Sequence, residues 1–226
     1  MGAVKQTLTL EHLKEYSGEF LEAMSRLSIA DLYGVNNGKA IGTFIETAFN
    51  EHLAKRFLFE TGNAASGIDF PRLGVDLKVT SIEQPQSSCP FRDATQKVYG
   101  LGYHVLVFVY RKLDDHSTKT CRLHFQHGVF VDKARTGDHG TTLGIRKRLA
   151  EGANVDDIDA FLEDRNLPVD EVGRRQLAER ICKSPPNQGV LTISNALQWR
   201  LQYTRALQLA GMEEGVESVI AVGGAQ

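Results

Sequence analysis

Apolar residues near the start of the chain recur with a helical period. Between Leu8 and Ser28, the residues Leu10, Leu13, Phe20, Leu21 and Met24 line one side of a helix. Ser28-Ile29-Ala30-Asp31-Leu32 suggests a short second helix, closed by Gly34-Val35-Asn36-Asn37-Gly38. A third helix runs from Gly38 to about Phe59, with Ile41, Phe44, Ile45, Ala48, Phe49 and Leu53 as its apolar face. The period then changes to two. Val75, Leu77 and Val79 alternate with Asp76, Lys78 and Thr80, which predicts a strand within a hairpin spanning Gly67–Ser81. Pro85–Pro90 reads as a loop, and Asp93–Leu101 as a helix ended by Gly102. Val105–Arg111 is a buried strand, apolar throughout from Val105 to Val109. A turn at Asp114-Asp115-His116 follows, and Lys119–Phe125 and Val129–Val131 pair through a turn at His127-Gly128. Near the C-terminus Ile193, Ala196, Leu197, Leu201, Ala206 and Leu207 can form the apolar side of a further helical stretch. This order predicts an α/β fold, a mixed sheet flanked by helices with a helical C-terminal region. Residues 1–150 would hold the core and N-terminal helices, and 151–226 the helical region, separate or part of the same domain.

The densest chemistry lies in the predicted hairpin. Side chains alternate along a strand, so Asp76 and Lys78 share one face while Leu77 points into a core. The backbone carbonyl of Leu77 remains usable as an oxygen ligand. Leu73-Gly74 fits the bend into the strand, and Asp69, just ahead of it, can be brought against Asp76. Two carboxylates so placed repel each other unless a cation lies between them. Oxygen donors of this kind suit Mg²⁺, and Lys78 would set a positive charge beside them. The plainer reading of the same residues is a half-exposed strand with a surface salt bridge.

Upstream, Gly38, Gly42 and Glu46 recur at i, i+4 and i+8, one face of a helix. Small residues leading to Glu46 would let the helix lie close to the sheet and present a third carboxylate; the alternative is a glycine packing face with Glu46 in solvent. Gly38, Gly42 and Glu46, followed by Asp69-Phe70-x-x-Leu73-Gly74-Val75-Asp76-Leu77-Lys78, resemble the MutH-type branch of the PD-(D/E)XK restriction-endonuclease superfamily. The resemblance implies a restriction-endonuclease-like core. It casts Asp69, Asp76 and Glu46 as catalytic acids, Lys78 as the catalytic lysine, and Asp69, Asp76, Leu77 and Glu46 as the Mg²⁺ ligands. Asp76 departs from the branch, which usually carries Glu there. The resemblance covers about Gly38 to Thr80, so it carries neither the strand-cutting pattern nor the sequence preference. The branch also has a functional lysine near the position of Lys97, although the local spacing here differs.

Charge refines this picture. The 226-residue chain is 42% apolar with a net charge of −2, enough for a sizeable core and without the basic excess of a general nucleic-acid binder. A nuclease needs only a local basic cleft. Glu151–Glu171 is strongly acidic, whereas Val172–Arg205 carries Arg174, Arg175, Arg180, Lys183, Arg200 and Arg205 against the single acid Glu179. With Gln198, Trp199, Gln202 and Tyr203 interleaved, that stretch suits DNA, since Arg neutralises phosphates and Arg and Gln can read bases. Lys97, Arg146, Lys147, Arg174, Arg175, Arg200 and Arg205 are the DNA-binding candidates, and the neighbouring Arg148 belongs to the cluster at Arg146-Lys147. An amphipathic helix with solvated arginines would leave the same trace. The histidines show no HxxxH or HxH pair, and Cys89, Cys121 and Cys182 no metal spacing, which disfavours a zinc site. An odd number of cysteines fits a reducing cytoplasm. The chain has no apolar run of eighteen residues, and Met1–Leu10 is no signal peptide, so no membrane partner is expected.

The sequence therefore points to a cytoplasmic Mg²⁺-dependent endonuclease, a type II restriction enzyme cutting double-stranded DNA. A palindromic target favours a homodimer. The alternatives are a MutH-like nicking enzyme of repair and a DNA-binding protein with an inert nuclease-like core.

Overall fold

The computed structural model describes residues 5–62, 67–89, 92–194 and 199–220. In chain order its elements are β1 (Gln6–Thr7), α1 (Leu10–Ser25), α2 (Gly38–Ala54), β2 (Phe57–Leu58), β3 (Val75–Ser81), β4 (Gln86–Cys89), α3 (Gln96–Tyr99), β5 (His104–Asp115), β6 (Thr120–Val131), α4 (His139–Ala150), α5 (Val155–Asp164), α6 (Glu171–Lys183), β7 (Thr192–Ile193), β8 (Trp199–Gln202), α7 (Thr204–Leu209) and β9 (Val216–Ser218). The chain forms two compact units, each gathered from separate stretches. The first takes its residues from Met1–Pro85, Val105–Val131 and Leu209–Gln226, the second from Gln86–His104 and Asp132–Gln208. The α/β class and the helix-flanked sheet expected from the pattern are present.

In the first unit the described strands form a sheet of order β3-β5-β6-β9, with β1 and β2 paired in parallel nearby. Helix α1 packs on β6 and α2 on β3. Thr9 and Asn37 cap the two helices by accepting backbone N–H groups of His12 and Lys39, which satisfies donors that a helix start leaves free. The core is aromatic where the layers meet. Phe20 of α1 lies 5.0 Å from Phe49 of α2, which lies 5.2 Å from Phe108 of β5, ring centre to ring centre. Val105 to Val109 are all fully buried, which explains their unbroken apolar run.

Several predicted boundaries move. Ser28–Leu32 is no helix: Ile29 bridges to Cys121 and a turn follows. Helix α2 stops at Ala54, because Phe57 leaves to pair in β2 and to pack edge-on against Tyr16 at 4.9 Å. The β5–β6 hairpin turns at His116–Lys119, and His127-Gly128 lies inside β6. Gly128 is small for a packing reason, since a Cβ there would stand 2.6 Å from a methyl of Leu21. The expected helix over Asp93–Leu101 shrinks to α3 and ends at Gly100, whose φ of 90° closes it.

In the second unit, Val98, Ile145, Ile158, Phe161, Leu162, Leu177, Ala178 and Ile181 make a separate core beneath α4, α5 and α6. The region expected to be loop at Pro85–Pro90 contributes β4, and the region expected to be helical after Ile193 contributes β7 and β8. These three strands form an antiparallel sheet of order β4-β8-β7. Ile193 and Leu201 are cross-strand partners and both are buried, so this part of the apolar spacing belongs to strands, while Ala206 and Leu207 lie in the helix α7. Pro90 and the segment with Ala196, Leu197 and Gln198 lie outside the described residues. No described helix is long and apolar enough to cross a membrane.

Candidate active site

The hairpin ahead of β3 is built from backbone. Phe70 and Val75 exchange hydrogen bonds, N–H to carbonyl, at 2.9 and 3.2 Å, and Gly74 takes the positive φ of 62° that the turn demands. This register sets Asp69 opposite Asp76. The next free N–H on that edge of β3 belongs to Leu77, and it donates to Asp69 Oδ2 at 2.7 Å. The Leu77 carbonyl lies on the same edge by strand geometry. A second tie holds Asp69 from behind: its carbonyl accepts from Gly62 N–H at 2.7 Å. A Cβ at Gly62 would stand 1.9 Å from the Ile68 carbonyl oxygen, so no side chain fits there without moving the strand that carries Asp69.

Asp76 and Lys78 share a face of β3, as alternation requires, and pair at 2.8 Å. The Asp76 side chain is 4% exposed and that of Lys78 21%. Burial raises the Asp76 carboxyl, Lys78 opposes the rise, and Asp69 adds to it by repulsion and a shared hydrogen bond; the result is about 7. Glu46 is raised as well, first by burial and then by Asp69, with Lys78 pulling the other way. Glu46, Asp69, Asp76, Leu77 and Lys78 thus form one electrostatic group.

The glycines of α2 do less than their spacing suggested. A Cβ at Gly42 would meet Val79 at an ordinary 4.0 Å, and one at Gly38 would meet nothing. Beyond Glu46 the same helix row reaches Asn50, whose buried Oδ1 has no hydrogen-bond partner. Neither Asn50 nor Gly62 stood out in the sequence, although the i+4 step from Glu46 to Asn50 was there to be read.

The donors are all oxygen, as a hard divalent cation requires. Glu46 and Asp76, each raised by burial and by Asp69, form with it a site that a cation would relieve. In the present arrangement Lys78 occupies the Asp76 carboxylate. Among the described residues no three His, Cys, Asp or Glu side chains close into a finished metal cage. The residues fit the ion in chemistry, with Lys78 holding the Oδ2 oxygen of Asp76.

The basic candidates lie in the second unit and are mostly engaged there. Lys97 is 4% exposed, with its pKa lowered by burial and supported by Asp138. Arg146 donates to the Pro186 carbonyl at 3.0 Å, Lys147 stands 4.0 Å from Glu151, and Arg148 lies 4.0 Å over the Phe161 ring. Arg174 pairs with Asp159 at 3.1 Å and Glu163 at 3.4 Å, and Arg175 pairs with Asp156. Arg200 and Arg205 are exposed. The neighbouring Gln96 accepts from the Arg92 N–H and donates to the Leu101 carbonyl. His104 Nδ1 accepts from the Lys133 N–H at 3.0 Å.

Residues 7–218 match the family described as type II restriction enzyme NspV. The type II restriction enzyme NspV of Nostoc sp. (strain ATCC 29411 / PCC 7524) is 52% identical over 212 residues, which cover 94% of this chain and 96% of the relative. No solved structure matches the chain.

Proposed function

This chain belongs to the NspV family of type II restriction enzymes, and from that premise we propose that the β3 hairpin with Glu46 is its PD-(D/E)XK phosphodiesterase site, working with Mg²⁺ on double-stranded DNA. The observation that carries the reading is the pairing of Asp69 and Asp76 across one hairpin, with Lys78 at 2.8 Å from Asp76.

Each group has a task that its position allows. Asp69 is oriented by the Leu77 N–H through one oxygen, which leaves the other as a ligand. Asp76, Glu46 and the Leu77 carbonyl complete the donor set. A bound Mg²⁺ supplies Lewis acidity at the phosphate and lowers the pKa of a coordinated water. Lys78, once exchanged from Asp76 to the scissile phosphate, orients the attacking water and stabilises the charge gathering on the phosphoryl oxygens. The water oxygen forms the new bond to phosphorus and gives up a proton to solvent, the bond to the leaving oxygen breaks, and that oxygen takes up a proton from solvent. No covalent enzyme intermediate is formed. A homodimer, with one site for each strand of a palindrome, matches protein symmetry to DNA symmetry.

Digestion of a large unmethylated DNA tests the reading. Discrete fragments in Mg²⁺, none in EDTA and none with Lys78→Ala are expected. Fragments from Lys78→Ala at the wild-type rate would remove the site assignment. Sedimentation of the protein alone and on DNA tests the dimer.

A further inference from the structure

The sheet β4-β8-β7 has two faces of opposite character. The row Ser87, Leu201 and Ile193 is turned inward: Leu201 and Ile193 are buried, and the Ser87 hydroxyl meets that of Tyr203 at 2.5 Å. The opposite face carries the residues between. Gln86, Gln202 and Thr192 are cross-strand partners, and so are Ser88 and Arg200. Cross-strand partners share a face. Arg200, Gln202, Thr192 and Ser88 are exposed. None of the three strands carries a carboxylate.

We propose that this face reads base edges in the major groove of the target, with Arg200 and Gln202 as its specificity-determining residues. The inference deepens the restriction-enzyme reading and rests on it. A surface that only tracks phosphates needs several cations; this one holds a single arginine among amides and hydroxyls. Those are the groups that match bases: Arg forks onto guanine O6 and N7, Gln onto adenine N6 and N7, and Ser and Thr pair with either. Arg200 also differs from the arginines of α6. Arg174 and Arg175 are held by acids, whereas the Arg200 guanidinium has no partner among the described residues. Its backbone is fixed nevertheless, since Arg200 N–H donates to Ser194 Oγ at 3.0 Å and Ser194 N–H donates to the Arg200 carbonyl at 3.1 Å. Neighbouring strands lie about 4.8 Å apart, so the three present a face roughly 10 Å across, commensurate with a major groove of about 12 Å. A two-stranded β-ribbon is one of the elements that groove admits, and β4 with β8, which carry Ser88, Arg200 and Gln202, make such a ribbon.

A test can be run on DNA of any sequence. A pool of duplexes with a randomised core is bound by wild-type protein, Arg200→Ala and Gln202→Ala, in Ca²⁺ and in EDTA, and the retained DNA is sequenced. The wild type enriches one motif. Arg200→Ala should lose a guanine preference within it by roughly ten- to a hundredfold, and Gln202→Ala an adenine preference. Affinity for random duplex and its salt dependence should stay as in wild type, which a merely unfolded or weakened protein would not allow. Circular dichroism confirms the fold, and Arg200→Lys, which keeps the charge but not the fork, should fail like Arg200→Ala. An unchanged motif in all variants overturns the proposal. So does equal weakening on all duplexes with a shallower salt slope, which marks a phosphate contact. Loss of a dimer with the motif intact also overturns it, by making the face an interface between copies. Cleavage by Lys78→Ala would sink the catalytic reading alone, because motif enrichment requires no cutting.

Discussion

Two clusters of charge, one in each unit, are built on opposite principles. On the β3 hairpin, Asp69 stands against Asp76 and also acts on Glu46, with Lys78 to answer them. On α5 and α6, Arg174 meets Asp159 and Glu163, and Arg175 meets Asp156. The second cluster balances its charges between neighbouring helices, as a structural contact does. The first leaves Glu46 and Asp76 raised by burial and by Asp69, the kind of imbalance that clusters at functional sites. Proximity of charges therefore identifies little. The sign of the imbalance is what marks the β3 hairpin as the candidate site.

The largest expected effects break the hairpin cluster. Asp69→Ala, Asp76→Ala and Lys78→Ala should each reduce single-turnover cleavage by about 10²–10³-fold or more, as loss of a positioned charge at the reacting phosphate does. Lys78→Arg should rescue poorly, since a planar fork replaces a compact ammonium. DNA binding should survive, and the Asp variants should bind metal-free DNA at least as well as wild type, having lost a charge that repels phosphate.

The next effect concerns stability. Asp76 has a folded pKa raised from 3.8 to about 7. The folded state therefore holds its proton more tightly than the unfolded one, and stability falls as pH rises through that window, by up to about 1.4 kcal/mol per pH unit. In EDTA, Asp76→Asn should gain on wild type between pH 4 and pH 7 and keep the advantage above it. Mg²⁺ should stabilise wild type at pH 8 and leave Asp76→Asn nearly unmoved. Parallel melting curves for the two proteins across that range would break the comparison.

The balanced cluster should respond in stability and not in rate. Arg174→Ala should lower the melting temperature modestly, with cleavage rate and the salt slope of DNA binding unchanged. A slope reduced by about 0.9 would instead make Arg174 a phosphate contact. The smallest effect lies at the β5–β6 turn. Asp115 is lowered to about 2, chiefly by the Ser117 hydroxyl and backbone N–H and by Thr118. Its contribution is present above pH 3.8 and fades as pH falls through 2. Asp115→Asn should therefore differ from wild type only slightly at pH 7 and not at all below pH 2, as read by acid titration of the hairpin.

The sequence carried the site better than its setting. Asp69, Asp76 and Lys78 were legible because strand alternation and one glycine turn determine their mutual placement locally. Gly62 was not, since its role depends on a backbone approach to Ile68 that no local pattern announces. Gly128 misled for the same reason: a glycine that makes room for Leu21 looks like one that makes a turn. Strands β7 and β8 were misread because the apolar steps over Ile193–Leu207 suit either period, and only pairing with β4 decides between them. The arginines of α6 were seen, but their acids lie on α5, a different helix.

The chain passes between its two units at 85/86, 104/105, 131/132 and 208/209. A single cut cannot release either unit as a contiguous piece, and a fusion cannot append one to another protein. Evolution of a new specificity in this family is thereby denied the exchange of whole modules. On the proposed reading of the β4-β8-β7 face, it proceeds by substitution within the strands, while β3 leads into β4 through the short stretch Ile82–Pro85. Laboratory redesign inherits the same restriction: libraries belong on individual side chains of β4, β7 and β8, and domain grafting is not an available route.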